Sequence, residues 1–285
     1  MGILNNFLLY VLLYLILVTV FNQSYKIATK TLKRAGALTI LLEMIGGLTA
    51  LLLCPFFKFQ FPTDIKIYIM LGISIIFYAM SDRINTTVRS GIEASTYSML
   101  RQLSTTFMIF AGLIFFKEEF ILTKFIGAML IIFSNVLIFY KKGKFELNKY
   151  ILLGVLANLI YTVALFLDVN NSDNFNLGFY VASTLIIPSL LIMCFERIKP
   201  SEIKNEWVNG NKKAILITGL TWGTSIAANL RAYQLGNVTI VAPLCALTAI
   251  LNVIVGYLFF NEKNNLLRKI ISAILIIISI ILIKI

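Results

Sequence analysis

Ten long apolar runs separated by short polar connections organise this chain, at about 4–25, 35–56, 65–88, 91–116, 121–140, 148–168, 175–195, 213–235, 238–260 and 266–284. A helix crosses the hydrocarbon of a bilayer in ~20 mostly apolar residues, so each run predicts one span. The runs are continuously apolar rather than alternating, which favours helices over a membrane barrel. The longest connection, about 196–212 around Pro200, leaves no room for a soluble domain. The first run is not expected to be a cleaved leader. Nothing charged precedes it, and no small-x-small site follows before Asn22-Gln23-Ser24.

The pattern repeats. Residues 112–118 read Gly-Leu-Ile-Phe-Phe-Lys-Glu and residues 256–262 read Gly-Tyr-Leu-Phe-Phe-Asn-Glu, an offset of 144 positions. The same offset pairs Asn85 with Asn229, Leu100 with Leu244, Leu103 with Leu247, Leu122 with Leu266 and Ile126 with Ile270. Five spans per half is an odd number, so the second half must cross in the opposite sense to the first. The expected fold class is therefore an all-α membrane protein of ten transmembrane helices in two inverted five-helix repeats, 1–145 and 146–285, forming one integral unit. The repeat predicts that Asn85 superposes on Asn229 and Glu118 on Glu262.

Composition agrees with membrane residence. Hydrophobic residues make up 59% of the chain and charged residues 13%, which no soluble domain could bury. The net charge of +12 comes from short clusters between apolar runs. That pattern suits anionic headgroups, and no nucleic-acid partner is expected. Connections after odd-numbered runs hold most of the cations, among them Lys26, Arg89, Lys141, Lys149 and Lys269. The positive-inside rule places that side in the cytoplasm and both termini outside. Cys54, Cys194 and Cys245 are scattered in apolar runs without metal or redox spacing, and histidine is absent. Those two facts remove imidazole relays, Ser-His-Asp catalysis and His-rich metal sites, so no enzyme, metal or cofactor is expected.

Charges inside the hydrocarbon are the sharpest functional signal, since each costs ~2.5–3.5 kcal/mol at a helix centre on insertion scales. Glu43 sits midway along the second run, with Gly46, Gly47 and Ala50 on nearby turns. Asp82 and Arg83 interrupt the third run, and Arg101 lies in the fourth. Helical spacing groups Tyr78, Asp82 and Asn85 on one stripe and puts Tyr97 one turn from Arg101, followed by Ser104 and Thr105. The sixth run offers Asn158, Tyr161 and Thr162, and the eighth Trp222, Ser225 and Asn229. Each charge has a plainer reading as part of an interhelical ion pair, and each hydroxyl as a bond to its own helix. The candidate substrate-binding set is Glu43, Tyr78, Asp82, Tyr97, Arg101, Tyr161, Trp222 and Asn229. The third and eighth runs both lose apolar character in their second halves, and matched interruptions point to a transporter site. Glu118 and Glu262 read as interfacial caps, and the cluster Asn22 to Lys26 as the end of the first helix.

The run Trp222-Gly223 through Asn229-Leu230-Arg231-Ala232-Tyr233-Gln234-Leu235-Gly236, with the later helix end Phe259-Phe260-Asn261-Glu262, resembles EamA-like proteins of the drug/metabolite transporter superfamily. The first half carries a weaker copy, from Asn85 through Arg89 to Lys117-Glu118. The resemblance implies ten helices around a central cavity and alternating access for small metabolites or drugs. Two points depart from the family pattern. Prolines common within spans four and nine are replaced by Thr105 and Ala249, although Pro243 lies earlier in span nine. The family's usual cytoplasmic termini also oppose the charge count.

Together these readings predict a secondary transporter for a small polar or amphipathic metabolite, such as an amino acid or similar zwitterion. Glu43 and Asp82 would face its ammonium and Arg101 its carboxylate. The partners expected are this solute, the bilayer of a bacterial or archaeal plasma membrane, and protons through Glu43. Two alternatives remain: an exporter of organic cations or drugs held by Glu43 and the aromatics Tyr97, Tyr161 and Trp222, and a component of a lipid-linked sugar flippase.

Overall fold

The computed structural model describes residues 6–114, 122–141, 144–145, 148–261 and 266–284. Glu118 and Glu262 lie outside these residues. The helices are α1 (Phe7–Thr29), α2 (Ala35–Leu52), α3 (Ile65–Gly91), α4 (Ala94–Leu100), α5 (Gln102–Ile114), α6 (Leu122–Phe139), α7 (Lys149–Asn171), α8 (Leu177–Phe195), α9 (Pro200–Asn209), α10 (Lys212–Leu235), α11 (Val238–Ala246), α12 (Thr248–Phe260) and α13 (Leu266–Lys284). Two-residue strands, β1 (Tyr140–Lys141) and β2 (Lys144–Phe145), pair antiparallel in the connection after α6. Among the described residues, six segments are long and apolar enough to cross a membrane: α1, α2, α3, α7, α8 and the α11–α12 pair.

Local sequence sets the helix starts. Asn6, Asp64, Asn148, Asn176 and Asn211 each accept a hydrogen bond from a first-turn amide, satisfying a group that the helix itself cannot. The longest connection, 196–212, contains α9. Pro200 opens it, and Glu202 accepts from the Lys199 amide at 2.8 Å. Asn261 ends α12 in the left-handed conformation, with φ 55°.

Two of the expected spans are broken. The fourth divides into α4 and α5 at Arg101, and the ninth into α11 and α12 at Leu247. At each break the backbone tightens to bonds three residues long, Ser104 N–H to Arg101 O at 3.0 Å and Ile250 N–H to Leu247 O at 3.1 Å. Side-chain amides serve carbonyls there: Gln102 donates to Ser98 O at 3.0 Å, and Asn252 to Thr248 O at 2.8 Å. Gln102 also reaches Thr248 Oγ1 at 3.5 Å, so the two breaks touch. The second break comes two residues later than a strict 144-residue offset would place it.

The packing pairs α1 with α10 and α7 with α3, α2 with α8, α6 with α13, α5 with α11 and α4 with α12. Helix α2 also packs on α10, where glycines permit a close approach. Gly46 on α2 lies against the backbone of Gly219 and Gly223 on α10, so no side chain separates the two helices there. Polarity is reversed relative to a water-soluble fold. Leu12, Ile16, Ile69 and Ile76 are exposed, whereas Asn158, Asp168, Ser189 and Asn252 are buried. Lipid rewards such an exterior and leaves backbone and polar groups to be satisfied inside.

Candidate functional site

The polar stripes converge on a central cavity of about 50 Å³ between α1, α3, α4, α7, α8 and α10. Tyr78 and Asp82 reach it from α3, and Tyr97 and Arg101 from the end of α4. Tyr161 enters from α7, and Trp222 and Asn229 from α10. Arg101 reaches the cavity wall from the break between α4 and α5, and interrupted spans are where transporters place their sites.

Arg101 stacks on Tyr161, its guanidinium carbon 3.5 Å from the ring centroid, and its Nη1 lies 3.5 Å from the Tyr97 hydroxyl. Tyr161 packs edge-on against Tyr78 at 5.8 Å. Asp82 is within electrostatic reach of both Arg101 and Arg89, and accepts from Ser81 Oγ at 3.4 Å. Asn229 donates to Cys245 Sγ at 3.3 Å. Trp222 packs against Phe21 and Tyr25 at 5.3 and 5.7 Å.

Glu43 is the one residue of the candidate set that does not line this cavity. It is fully buried in α2, behind Asp82, and neither carboxylate oxygen has a hydrogen-bond partner. The small residues expected to admit another helix near it do so, since α10 approaches at Gly46. Beside Glu43 a hydroxyl cluster ties three helices together: Thr86 Oγ1 lies 2.6 Å from Tyr25 Oη and 2.5 Å from Thr39 Oγ1. Arg83 turns away from the cavity and pairs with Glu196 at the end of α8, also donating to Thr87 at 2.8 Å.

Several groups at or behind the cavity wall were not among the residues proposed from sequence. Arg89, counted there as a connection cation, is 4% exposed and lines the cavity. Its guanidinium carbon lies 3.7 Å from the Tyr97 centroid, 4.6 Å from Tyr25 and 4.9 Å from Phe21. A signal for it existed, because Tyr78, Asp82, Asn85 and Arg89 continue one stripe at helical spacing. Two further connection cations are held by protein. Lys26 donates to the carbonyls of Arg89 and Ser90, and buried Lys269 pairs with Glu93 at 2.6 Å. Asp168 on α7, which no motif marked, accepts from Tyr78 and Tyr180, each at 2.7 Å. By contrast, Asn158 and Thr162 bond carbonyls of their own helix, as short polar side chains in membrane helices do.

The sequence profile of the EamA-like transporter family matches residues 148–285. A Sinorhizobium protein described as an uncharacterized transporter in the cobO 3′ region is 34% identical over 99 residues, which is 34% of this chain and 67% of that protein. A solved structure described only as "Crystal structure of protein" has a TM-score of 0.67 to this one at 14% identity, over 96% of this chain and 94% of that one, a likeness of fold. With the apolar exterior and polar interior already described, these matches show that the chain belongs to the EamA-like transporter family and is a multi-pass membrane transporter.

Proposed function

We propose that the protein is a secondary transporter for an amino-acid-like zwitterion in a bacterial or archaeal plasma membrane, working by alternating access around the central cavity. The observation that carries this reading is the convergence of Asp82, Arg101 and seven aromatic side chains on one buried space. Arg101 offers a planar fork suited to a carboxylate, and Asp82 an acceptor suited to an ammonium group. A cavity of about 50 Å³ has room for a few waters, so a solute of amino-acid size enters only as the helices part.

Alternating access draws support from the arrangement of contacts. In a ten-span count with α4–α5 and α11–α12 as single broken spans, α1 against α10 mirrors α7 against α3. The pairs α2–α8 and α6–α13 each map onto themselves under exchange of the halves, and α4–α12 maps onto α5–α11. Such a pattern is what two inverted five-helix repeats, 1–145 and 146–285, produce, and rocking one half against the other would open each end of the cavity in turn.

Glu43 is assigned to proton coupling. An unpaired charge at zero exposure is costly, and its neighbour Asp82 stands between it and the solute. Glu43→Gln keeps the shape, and transport by that variant is expected to lose its pH dependence. Two of its three rings argue against the organic-cation alternative. Tyr97 and Tyr161 already carry Arg89 and Arg101 on their faces, where a cationic solute would sit.

The direct test is efflux of a mixed amino-acid load from proteoliposomes, followed by mass spectrometry. Selective loss of one or more amino acids with the native protein, abolished by Arg101→Gln, is expected. A profile equal to that of empty liposomes would refute the reading.

A further inference from the structure

Arg89 carries an inference that deepens this reading and rests on it. It lies on α3, and Arg101 at the end of α4, yet both guanidiniums meet the same phenol ring. Arg89 covers the Tyr97 face at 3.7 Å, while Arg101 Nη1 approaches the Tyr97 hydroxyl at 3.5 Å. A single side chain therefore separates two positive charges that line one cavity and feel each other electrostatically.

Like charges so placed are unfavourable unless an anion joins them. Among the described residues, neither guanidinium makes an ion pair with a carboxylate. Asp82 contributes its field but turns its oxygens toward Ser81 and Asn85, and Glu43 lies behind it. Each arginine brings five N–H donors. Aromatic faces take up the charge of Arg89 and the Tyr97 side chain lies within hydrogen-bond reach of it, but its buried Nε has no partner. A buried fork with unmet donors calls for an acceptor of two or more oxygens.

We propose that Arg89 and Arg101 form a two-guanidinium clamp for one oxyanion, the carboxylate of the solute, so that the substrate must be an acid or a zwitterion. Arg89 is then a specificity-determining residue. Tyr97 is the spacer that sets the clamp's width, and Phe21 and Tyr25 hold the Arg89 plane. A solute lacking the carboxylate leaves both forks unpaired, and discrimination against it is correspondingly strong.

Binding can be read apart from transport. Trp222 lines the cavity, and Trp207 is the chain's other tryptophan. In Trp207→Phe protein, Trp222 emission would be titrated with three nitroaromatic quenchers: 4-nitrobenzoate, 4-nitrobenzamide and 4-nitrobenzyltrimethylammonium. Saturable quenching by the carboxylate alone is expected, with affinity weakened about tenfold or more by Arg89→Gln and partly restored by Arg89→Lys. Comparison of the three probes on protein with both arginines intact remains decisive if Arg89→Gln fails to fold. Saturable quenching by the cation, equal binding of acid and amide, an acid affinity indifferent to both Arg89 variants, or no saturation by the acid up to about 10 mM would each overturn the clamp. Carboxylate binding without amino-acid efflux from proteoliposomes would instead leave the clamp standing and sink the transporter assignment for zwitterions.

Discussion

Tyr78 on α3 donates its hydroxyl to Asp168 on α7 across 2.7 Å, and so fixes one wall of the central cavity to a buried carboxylate outside it. Tyr180 on α8 donates to the other oxygen of the same group, also at 2.7 Å. Three helices thus share one acid. The ring of Tyr78 in turn packs against Tyr161, on which Arg101 rests.

Asp168→Asn leaves a single acceptor oxygen for two tyrosines and removes the charge from both bonds. Hydrogen bonds to charged groups are worth ~1.5–3 kcal/mol, so a loss of stability of that order is expected. Because Tyr78 and Asp168 share one bond, Tyr78→Phe and Asp168→Asn should be strongly non-additive in a double-mutant cycle. Melting temperatures of the two single variants and the double variant in one detergent check this, and additive losses would dissociate the pair.

Two asparagine caps should differ sharply in weight. Asn176 is fully buried. Its amide donates to the carbonyls of Cys54, Phe57 and Lys58 at 3.0–3.2 Å, and its Oδ1 accepts from Phe179 N–H. Asn148, exposed at the start of α7, makes only its cap bond to Ile151 N–H. Asn148→Ala is expected to cost ~1 kcal/mol. Asn176→Ala removes, besides the cap, the donor shared by three carbonyls of the α2–α3 connection and should cost more, with ~0.5–1.5 kcal/mol per lost bond added to the cap loss. Thermal unfolding of the two variants side by side is the measurement, and equal shifts would count against the assigned role of Asn176.

The α2–α10 contact depends on the absence of side chains. A Cβ on Gly223 would collide with the carbonyl oxygen of Gly46, a backbone atom that cannot step aside. Gly223→Leu should therefore part the helices, lower stability by ~1–3 kcal/mol or more, and disturb Glu43 one turn away. Gly72 on α3, where an added Cβ would meet nothing within 4 Å, is the matched control and should accept alanine with little change. Expression level and melting temperature together report the difference.

Much of this architecture was legible in the chain because membrane physics writes it in long, uniform strokes. A bilayer demands apolar runs of fixed length, so the helix positions could be read from composition alone. Helical spacing carried Tyr78, Asp82, Tyr97, Arg101, Tyr161, Trp222 and Asn229 to one cavity because only one face of each helix avoids lipid. Glu43 lies one layer behind the cavity wall. Its depth along α2 was evident, but rotation about the helix axis is set by the Gly46 contact with α10. The place of Arg89 near the end of α3 suggests an interfacial cation, whereas rings from α1 and α4, distant in sequence, bury it. Asp168 was missed because its tyrosine partners come from two other helices. The break at Arg101 has no proline to mark it, Pro243 precedes the break at Leu247 by one turn, and the amides that serve carbonyls at both are ordinary residues in sequence.

Under the alternating access proposed here, the cavity opens to each side of the membrane in turn. Ser98 lies in the cavity wall, 1% exposed, with an unpartnered hydroxyl, and suits a small probe. With Cys54, Cys194 and Cys245 replaced by serine, Ser98→Cys would be treated with a small membrane-impermeant thiol reagent in right-side-out and in inside-out vesicles. Reaction from both faces, slowed in both by a transported solute, is the result predicted. Reaction from one face only, or from neither, would contradict alternating access through this cavity.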